Sequence, residues 1–406
     1  MSISTQAPAP SQIRAAIVAG CLVAVISFGF AASFGVFLRP MSADLGWGRE
    51  VFSLSLAVQA LLWGVTQPLA GIVADRRGSA PVLAFGAVVA AAGFGLRAGV
   101  VDPTVFVLSG VLTGIGTGAC SFPVVIVALG KVVPAARRSF ILGLGTAAAS
   151  TGMFLAAPTA TMLIAAFGWQ AALSVIALSF LLILPALPFI ASVSRPSTQT
   201  GARGDTGAAL RTAFRDRSFV LLFVGFFVCG FHVSFIQTHL PAYLADAGLA
   251  PIIGAWSLGL IGLFNIAGSF LSGWSGQVLS KKGVLAGIYA ARALVIAAFI
   301  LIPLSTTTAL LFSAVMGLLW LSTVPLTTAL VAQTQGLRFL SMLVGLVFFS
   351  HQTGAFLGAW LGGRIYDSFG SYMPMWWAAI ALGLLAAAVH LPIRETPGPL
   401  ARAESA

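Results

Sequence analysis

A chain of 406 residues that is 59% hydrophobic and 8% charged, with a mean hydropathy of +1.02, has too few polar residues to coat a soluble fold, in which about a quarter of residues are charged. The net charge of +11 does not mark a nucleic-acid partner, because most of the 21 Lys and Arg residues fall in alternate loops. That is the positive-inside pattern of a membrane protein with an even number of spans; with both termini cytoplasmic, Arg76, Arg77, Lys281, Lys282 and Arg338 lie inside, and Arg39, Arg49, Arg97 and Arg364 fall outside.

A spanning helix needs about 20 apolar residues, so the expectation is an all-α membrane protein of roughly twelve transmembrane helices with no appended soluble domain. In chain order the apolar runs predict spans at 15–38, 51–73, 80–98, 104–128, 139–163, 170–191, 218–241, 252–276, 284–303, 307–332, 340–363 and 372–392. The first is too long for a signal-peptide core and lacks a cleavable flank, so it is read as a retained helix. Between the sixth and seventh, residues 192–217 are polar and rich in Ser, Gly and Arg. They predict a cytoplasmic linker between an N-terminal half, 1–191, and a C-terminal half, 218–406. Cys21, Cys120 and Cys229 sit in apolar runs without metal-ligand or paired spacing, so free thiols are expected and no metal.

Sliding the chain along itself by 202 residues lays Thr151-Gly152-Met153-Phe154-Leu155-Ala156-Ala157 over Thr353-Gly354-Ala355-Phe356-Leu357-Gly358-Ala359. The same shift puts Phe167-Gly168 on Phe369-Gly370 and Gly71 on Gly273. Two pseudo-symmetric six-helix bundles follow, a design in which the ligand site lies near the membrane midplane between the repeats.

The loop after the second span reads Gly71-Ile72-Val73-Ala74-Asp75-Arg76-Arg77-Gly78. It resembles the Gly-x-x-x-Asp-Arg/Lys-x-Gly signature of the major facilitator superfamily, in which such a loop serves conformational change. Gly71 is expected to let two helices approach, Asp75 to pair or cap, and Gly78 to permit a tight turn. In the second half Gln277 replaces the acid. The fourth span has Gly110 where proton-coupled members carry Arg, and the drug-antiporter Gly-Pro is reduced to Ala157-Pro158. Gly46-Trp47-Gly48-Arg49-Glu50, Gly168-Trp169 and Asp367-Ser368-Phe369-Gly370-Ser371-Tyr372 resemble the bacterial branch near the monocarboxylate transporters and oxalate:formate exchangers. That resemblance implies import or exchange of small carboxylates.

All ten acidic residues map to loops, linker, tail or span ends. The intramembrane ionisable groups are His232 in the seventh span, Arg292 in the ninth and His351 in the eleventh, each a functional candidate because ionisable groups are costly at membrane depth. His351 leads, since the repeat gives it Ala149 as counterpart, and its neighbour Gln352 has Ser150. The competing reading makes it a packing residue beside Gly354, Gly358 and Gly362, which are spaced for close helix contact. His239 shares the stripe of His232 and lies nearer the outer mouth, and a histidine there could make transport respond to pH. Arg292 reads better as snorkelling toward the cytoplasmic side than as a ligand. Gln59, Trp63, Thr66 and Gln67 form one stripe, Asn265 takes the repeat position of Trp63, and Phe30, Phe34, Trp320 and Thr323 complete the candidate lining.

The function expected is a secondary transporter for a small, monocarboxylate-like organic anion, acting by alternating access in the inner membrane as a monomer. It needs no cofactor, and a coupling proton would have to travel without a buried carboxylate. Efflux of a hydrophobic or cationic compound and a non-transporting sensor stand as alternatives. Nothing assembles an enzyme's nucleophile, base and oxyanion site.

Overall fold

The structure, a computed structural model, describes residues 9–121, 124, 135–193, 206–336 and 338–405. Its long helices are α1 (Pro10–Ala32), α2 (Arg49–Arg77), α3 (Ser79–Gly99) and α4 (Pro103–Ala119). The run Ala135–Leu181 follows, and Gly168, at φ 82°, divides it into α5 (135–167) and α6 (169–181), the latter extended by Leu187–Ala191. The second half holds α7 (Arg217–Asp246), α8 (Pro251–Val278), α9 (Lys281–Leu301), α10 (Thr306–Leu319 and Thr323–Gln335), α11 (Leu340–Phe369) and α12 (Met373–His390). Among the described residues, 10 helical stretches are long and apolar enough to cross a membrane, and dividing the longest at Gly168 and counting the shorter α4 makes twelve. Short helices precede α2 (Leu38–Leu45) and α7 (Thr206–Arg215). Of the expected linker, residues 194–205 lie outside the described residues, as does the end of the predicted fourth span.

Helix ends fall where capping residues stand. The Asp102 carboxylate accepts the Val105 N–H ahead of Pro103, and Ser280 and Ser305 cap α9 and α10 in the same way. The repeat is visible in the packing as well as in the letters. A Cβ on Gly152 would meet the Val25 carbonyl of α1, and one on Gly354 would meet the Phe227 carbonyl of α7; both members of the pair are shifted by 202 residues. Glycines with positive φ repeat at the same shift, Gly46 with Gly248 and Gly168 with Gly370, so the turns that end corresponding helices are duplicated too.

Two apolar clusters result. One gathers residues almost wholly from α1 to α6, the other from α7 to α12, with a few residues of each reaching into the other. Between them α2 packs on α11 and α5 on α8. Gly354, Gly358 and Gly362 do face α7, where Cβ atoms would strike Phe227, Phe231 and His239.

Several expectations need correction. The first predicted span is not one helix: the chain leaves α1 at Ser33 and passes through a 3₁₀ turn, Phe34–Phe37, whose Gly35 lies against the Gln237 carbonyl of α7. The tenth is interrupted between Leu319 and Thr323. Gly71 makes no close approach, for a Cβ there would have no neighbour within 4 Å, because the end of α2 faces open space. Arg97 is not outside: it is fully buried, with its guanidinium over the rings of Phe34, Phe94 and Phe106. Arg292 does not snorkel, being likewise fully buried within the second bundle.

Candidate substrate cavity

A cavity of about 720 Å³ lies between the two halves. Its described lining comes from α1 and the turn after it and from α2, α4, α5, α7, α8, α10 and α11. Much of the wall is apolar and aromatic; Phe28 and Trp63 meet edge to face at 6.2 Å, and Phe348 stacks on His351 at 5.7 Å. The lining holds amides and hydroxyls but no Asp, Glu, Lys or Arg among the described residues, and His351 is its ionisable member.

The face at which α1 begins and α2 ends is here called the terminal face, and the opposite one the distal face. At the distal face the halves are locked together. Arg49, at the start of α2, donates from Nη1 and Nη2 to the Asp246 carboxylate of α7 at 2.6 and 2.9 Å. The backbone N–H groups of Arg49 and Glu50 donate to Asp367 of α11 at 2.9 and 2.8 Å, so one half caps a helix of the other. Glu50 accepts from Trp360 and Arg364 of α11, and Arg49 Nη1 also donates to the Tyr372 hydroxyl. Burial holds that phenol's pKa well above its ordinary value, so Tyr372 stays neutral. Tyr372 in turn bonds His239 Nδ1, while His239 Nε2–H donates to the Ala359 carbonyl.

Of the sequence candidates, His351, Gln352, Asn265, Gln59 and Phe34 line the cavity together. His351 lies between Phe226 and Phe348, and its Nδ1–H donates to Gln352 Oε1 at 3.1 Å, which orients both side chains. Asn265 bridges the halves, donating to Ser150 Oγ of α5 at 3.0 Å, while its Oδ1 accepts the Leu321 N–H in the break of α10. Gln59 Oε1 accepts from Arg97 Nη1 at 3.0 Å, which leaves its amide N–H groups toward the cavity. Trp63 Nε1 and Gln67 Oε1, also in the lining, have no hydrogen-bond partner among the described residues.

The remaining candidates are not in the lining. Phe30 packs on the first apolar cluster. His232 points into the second bundle, its Nε2–H donating to the Ala379 carbonyl of α12 at 2.8 Å. Trp320, Thr323 and Arg292 form a buried group behind the cavity wall: Arg292 donates to the Leu319 and Trp320 carbonyls and to Cys229 Sγ, and that sulfur also contacts Thr323 Oγ1. The Arg292 and Asn265 side chains therefore satisfy the backbone groups that the break in α10 exposes, the condition for irregular backbone at membrane depth. In the signature loop α2 stays helical through Arg77, and Gly78, at φ 87°, makes the turn into α3. Arg76 is exposed, and the Asp75 side chain lies outside what is described.

Reading the sequence missed Arg97, Cys229 and the distal lock. The lock's signal was present, since the segments around Arg49 and Asp367 had been singled out, but nothing in one dimension pairs them.

The Major Facilitator Superfamily profile matches residues 20–338. An uncharacterized MFS-type transporter, YcxA of Bacillus subtilis (strain 168), is 26% identical over 373 residues, covering 89% of this chain and 90% of that one. Monocarboxylate transporter 13 of Rattus norvegicus is 24% identical over 356 residues, covering 85% and 80%. Among solved structures, a bacterial homologue of the human lysosomal transporter Spinster, inward-facing and unoccupied, superposes with a TM-score of 0.72 at 15% identity over 95% of each chain. With twelve spans, a duplicated six-helix design and a family match over most of its length, the chain belongs to the major facilitator superfamily of multi-pass membrane transporters.

Proposed function

We propose that this protein is a secondary transporter for a small organic anion, a monocarboxylate with an apolar body, moved by alternating access across the cytoplasmic membrane. The carrying observation is electrostatic. The described cavity lining contains no carboxylate, and two buried arginines stand behind it, Arg97 bonded to the lining residue Gln59 and Arg292 bonded to the Leu319 and Trp320 carbonyls next to the lining residue Leu321. A cation in such a site would meet no counter-charge and would be repelled from both sides. An anion gains from both, with the amide groups of Gln59, Gln352 and Asn265 available for its oxygens and the aromatic wall for its body. The similarity to monocarboxylate transporters points the same way.

In this reading the terminal face is cytoplasmic, in keeping with the basic residues there, and the distal lock holds the outer mouth shut while the cavity opens inward. The halves, 1–191 and 218–406, rock as units joined by residues 192–217, and one chain completes the site without a second copy. Transport needs no cofactor.

The test is thermal stabilisation of the purified protein by short-chain, aromatic and dicarboxylic acids, with organic cations of matched size alongside. Monocarboxylates are expected to raise the melting temperature, and His351→Ala to reduce the gain. Stabilisation by cations but not by carboxylates would overturn the reading.

A further inference from the structure

The short helix ahead of α7, Thr206–Arg215, carries three different stripes side by side. Residues four apart are neighbours on a helix surface, so Ala209 and Ala213 form one stripe, Leu210 and Phe214 the next, and Arg211 and Arg215 the third. The alanines are buried, Ala213 within the second apolar cluster, whereas Phe214 and both arginines are exposed and Leu210 is half-buried. The Phe214 ring meets Phe219 and Phe223 of α7 edge to face, each at 5.5 Å, so it lies beside the first two turns of a spanning helix. A helix that turns alanine to the protein, leucine and phenylalanine sideways and arginine outward has the pattern of one lying in the membrane interface.

The tertiary structure adds two more arginines at this place. Arg217 is exposed in the first turn of α7, and the backbone N–H of Arg394, beyond α12, donates to Ser218 Oγ of that same turn at 3.0 Å. Arg394 is exposed as well, on a segment fixed where the Lys282 N–H donates to the Glu395 carboxylate and the Gly398 N–H to the Thr334 carbonyl, both at 2.7 Å. The acids nearby are engaged elsewhere: Asp216 accepts from the Ser218 N–H and from Gln335 Nε2, and Glu395 from Ser280 and Lys282. Among the described residues no ion pair holds Arg215, Arg217 or Arg394. Three cations from three segments therefore surround the first turn of α7 without a counter-charge, next to an apolar stripe.

We propose that this place binds an anionic phospholipid, its phosphate held by Arg215, Arg217 and Arg394 and its acyl chain laid along Leu210 and Phe214. The absent counter-charge and the adjoining apolar stripe fit one molecule that carries both an anion and a hydrocarbon chain, which a free phosphate does not. Each cation at a membrane surface adds affinity for anionic lipid. Here the three are carried by a packed helix, a spanning helix and a tied tail, so little backbone has to be ordered when the lipid binds. Because Arg215 stands near the end of the 192–217 linker, a bound lipid fastens that end to the second bundle, against which the first half rocks in the reading above. The lipid site itself does not depend on what the transporter carries.

The experiment is native mass spectrometry of the full-length protein in a neutral detergent, titrated with phosphatidylglycerol or with phosphatidylcholine of the same chains. The parent is expected to bind phosphatidylglycerol more tightly, each arginine contributing a factor of about five at low salt. Arg215→Gln, Arg217→Gln and Arg394→Gln should each reduce the preference by about that factor, and added salt should reduce it in the parent. Phe214→Ser should weaken both lipids and keep the preference, while Arg14→Gln, an exposed arginine of the first half, should leave both unchanged. Equal binding of the two lipids by the parent, or an undiminished preference in all three arginine variants, overturns the proposal. Competition by glycerol 3-phosphate at the concentration at which phosphatidylglycerol binds also overturns it, since the ligand would then be a free phosphate ester and not a lipid.

Discussion

The two buried arginines occupy corresponding helices of the two bundles, α3 and α9, yet they are held by different means. Arg97 donates to side chains throughout, to Ser109 from Nε at 3.0 Å, to Gln59 at 3.0 Å and to Ser55 at 2.8 Å. Arg292 instead donates mainly to backbone, the carbonyls left bare where α10 is broken. They are not repeat equivalents, since the 202-residue shift takes Arg97 to Phe299 and brings Arg292 onto Ala90. Each half has thus placed a cation behind the shared cavity independently. In the first bundle the charge is presented through an amide, and in the second it supports a discontinuous helix and faces a thiol.

The contrast predicts unequal costs of removal. Arg292→Met leaves two buried carbonyls without donors, and at about 1–3 kcal/mol for each unsatisfied group the loss should be roughly 3 kcal/mol, seen as a large fall in melting temperature in detergent. If Arg292→Met melts like the parent, the α10 break does not depend on the guanidinium. Asn265→Ala comes next. It takes the acceptor from the Leu321 N–H and the donor from Ser150, for an expected loss of about 1–2 kcal/mol, and equal melting of the variant and parent would remove Asn265 from that role. Arg97→Met should cost least, about 1 kcal/mol or less, because the groups it leaves are side chains that keep or can turn to other partners, whereas Arg292 leaves fixed backbone carbonyls. Ser55 and Ser109 keep the Phe106 carbonyl as acceptor. Its effect should fall on binding, with weaker stabilisation by carboxylates, so a variant that binds them as well as the parent would end the argument that Arg97 acts through Gln59. A fourth test concerns the distal lock: Asp367→Asn weakens the cap on α2 by about 1 kcal/mol. It should raise labelling of cysteines introduced on the distal side of the cavity.

The legible part of this fold is what a bilayer imposes locally. Apolar runs long enough to span, polar breaks between them and the alternation of basic loops are one-dimensional consequences of solvation, so the spans were placed close to where the described helices lie, the first and tenth being interrupted there. The repeat was legible because duplicated crossings such as Gly152 on Val25 and Gly354 on Phe227 need small residues at matching positions. Misplacements occurred where hydropathy is a poor guide. Arg97 stands in the last turn of α3, and what covers it includes the 3₁₀ turn carrying Phe34, together with Phe94 and Phe106. The break in α10 sits in an apolar stretch that reads as continuous helix, and it is stable because groups from α8 and α9 satisfy it.

By itself, then, the sequence determined that the chain lives in a membrane and that its acidic residues stay at loops and span ends, which follow from transfer free energies summed along the chain, and its internal repeat showed that it folds as two copies of one six-helix unit. Which polar side chains meet was decided only in three dimensions. His351 and Gln352 face the cavity while His232 turns away from it, and Arg49 and Asp367, 318 residues apart, join the two halves at one face. The reason is that hydrogen bonds and ion pairs at membrane depth depend on the rotation of each helix about its axis, and that rotation is set by packing against neighbours, not by the average composition of the helix itself.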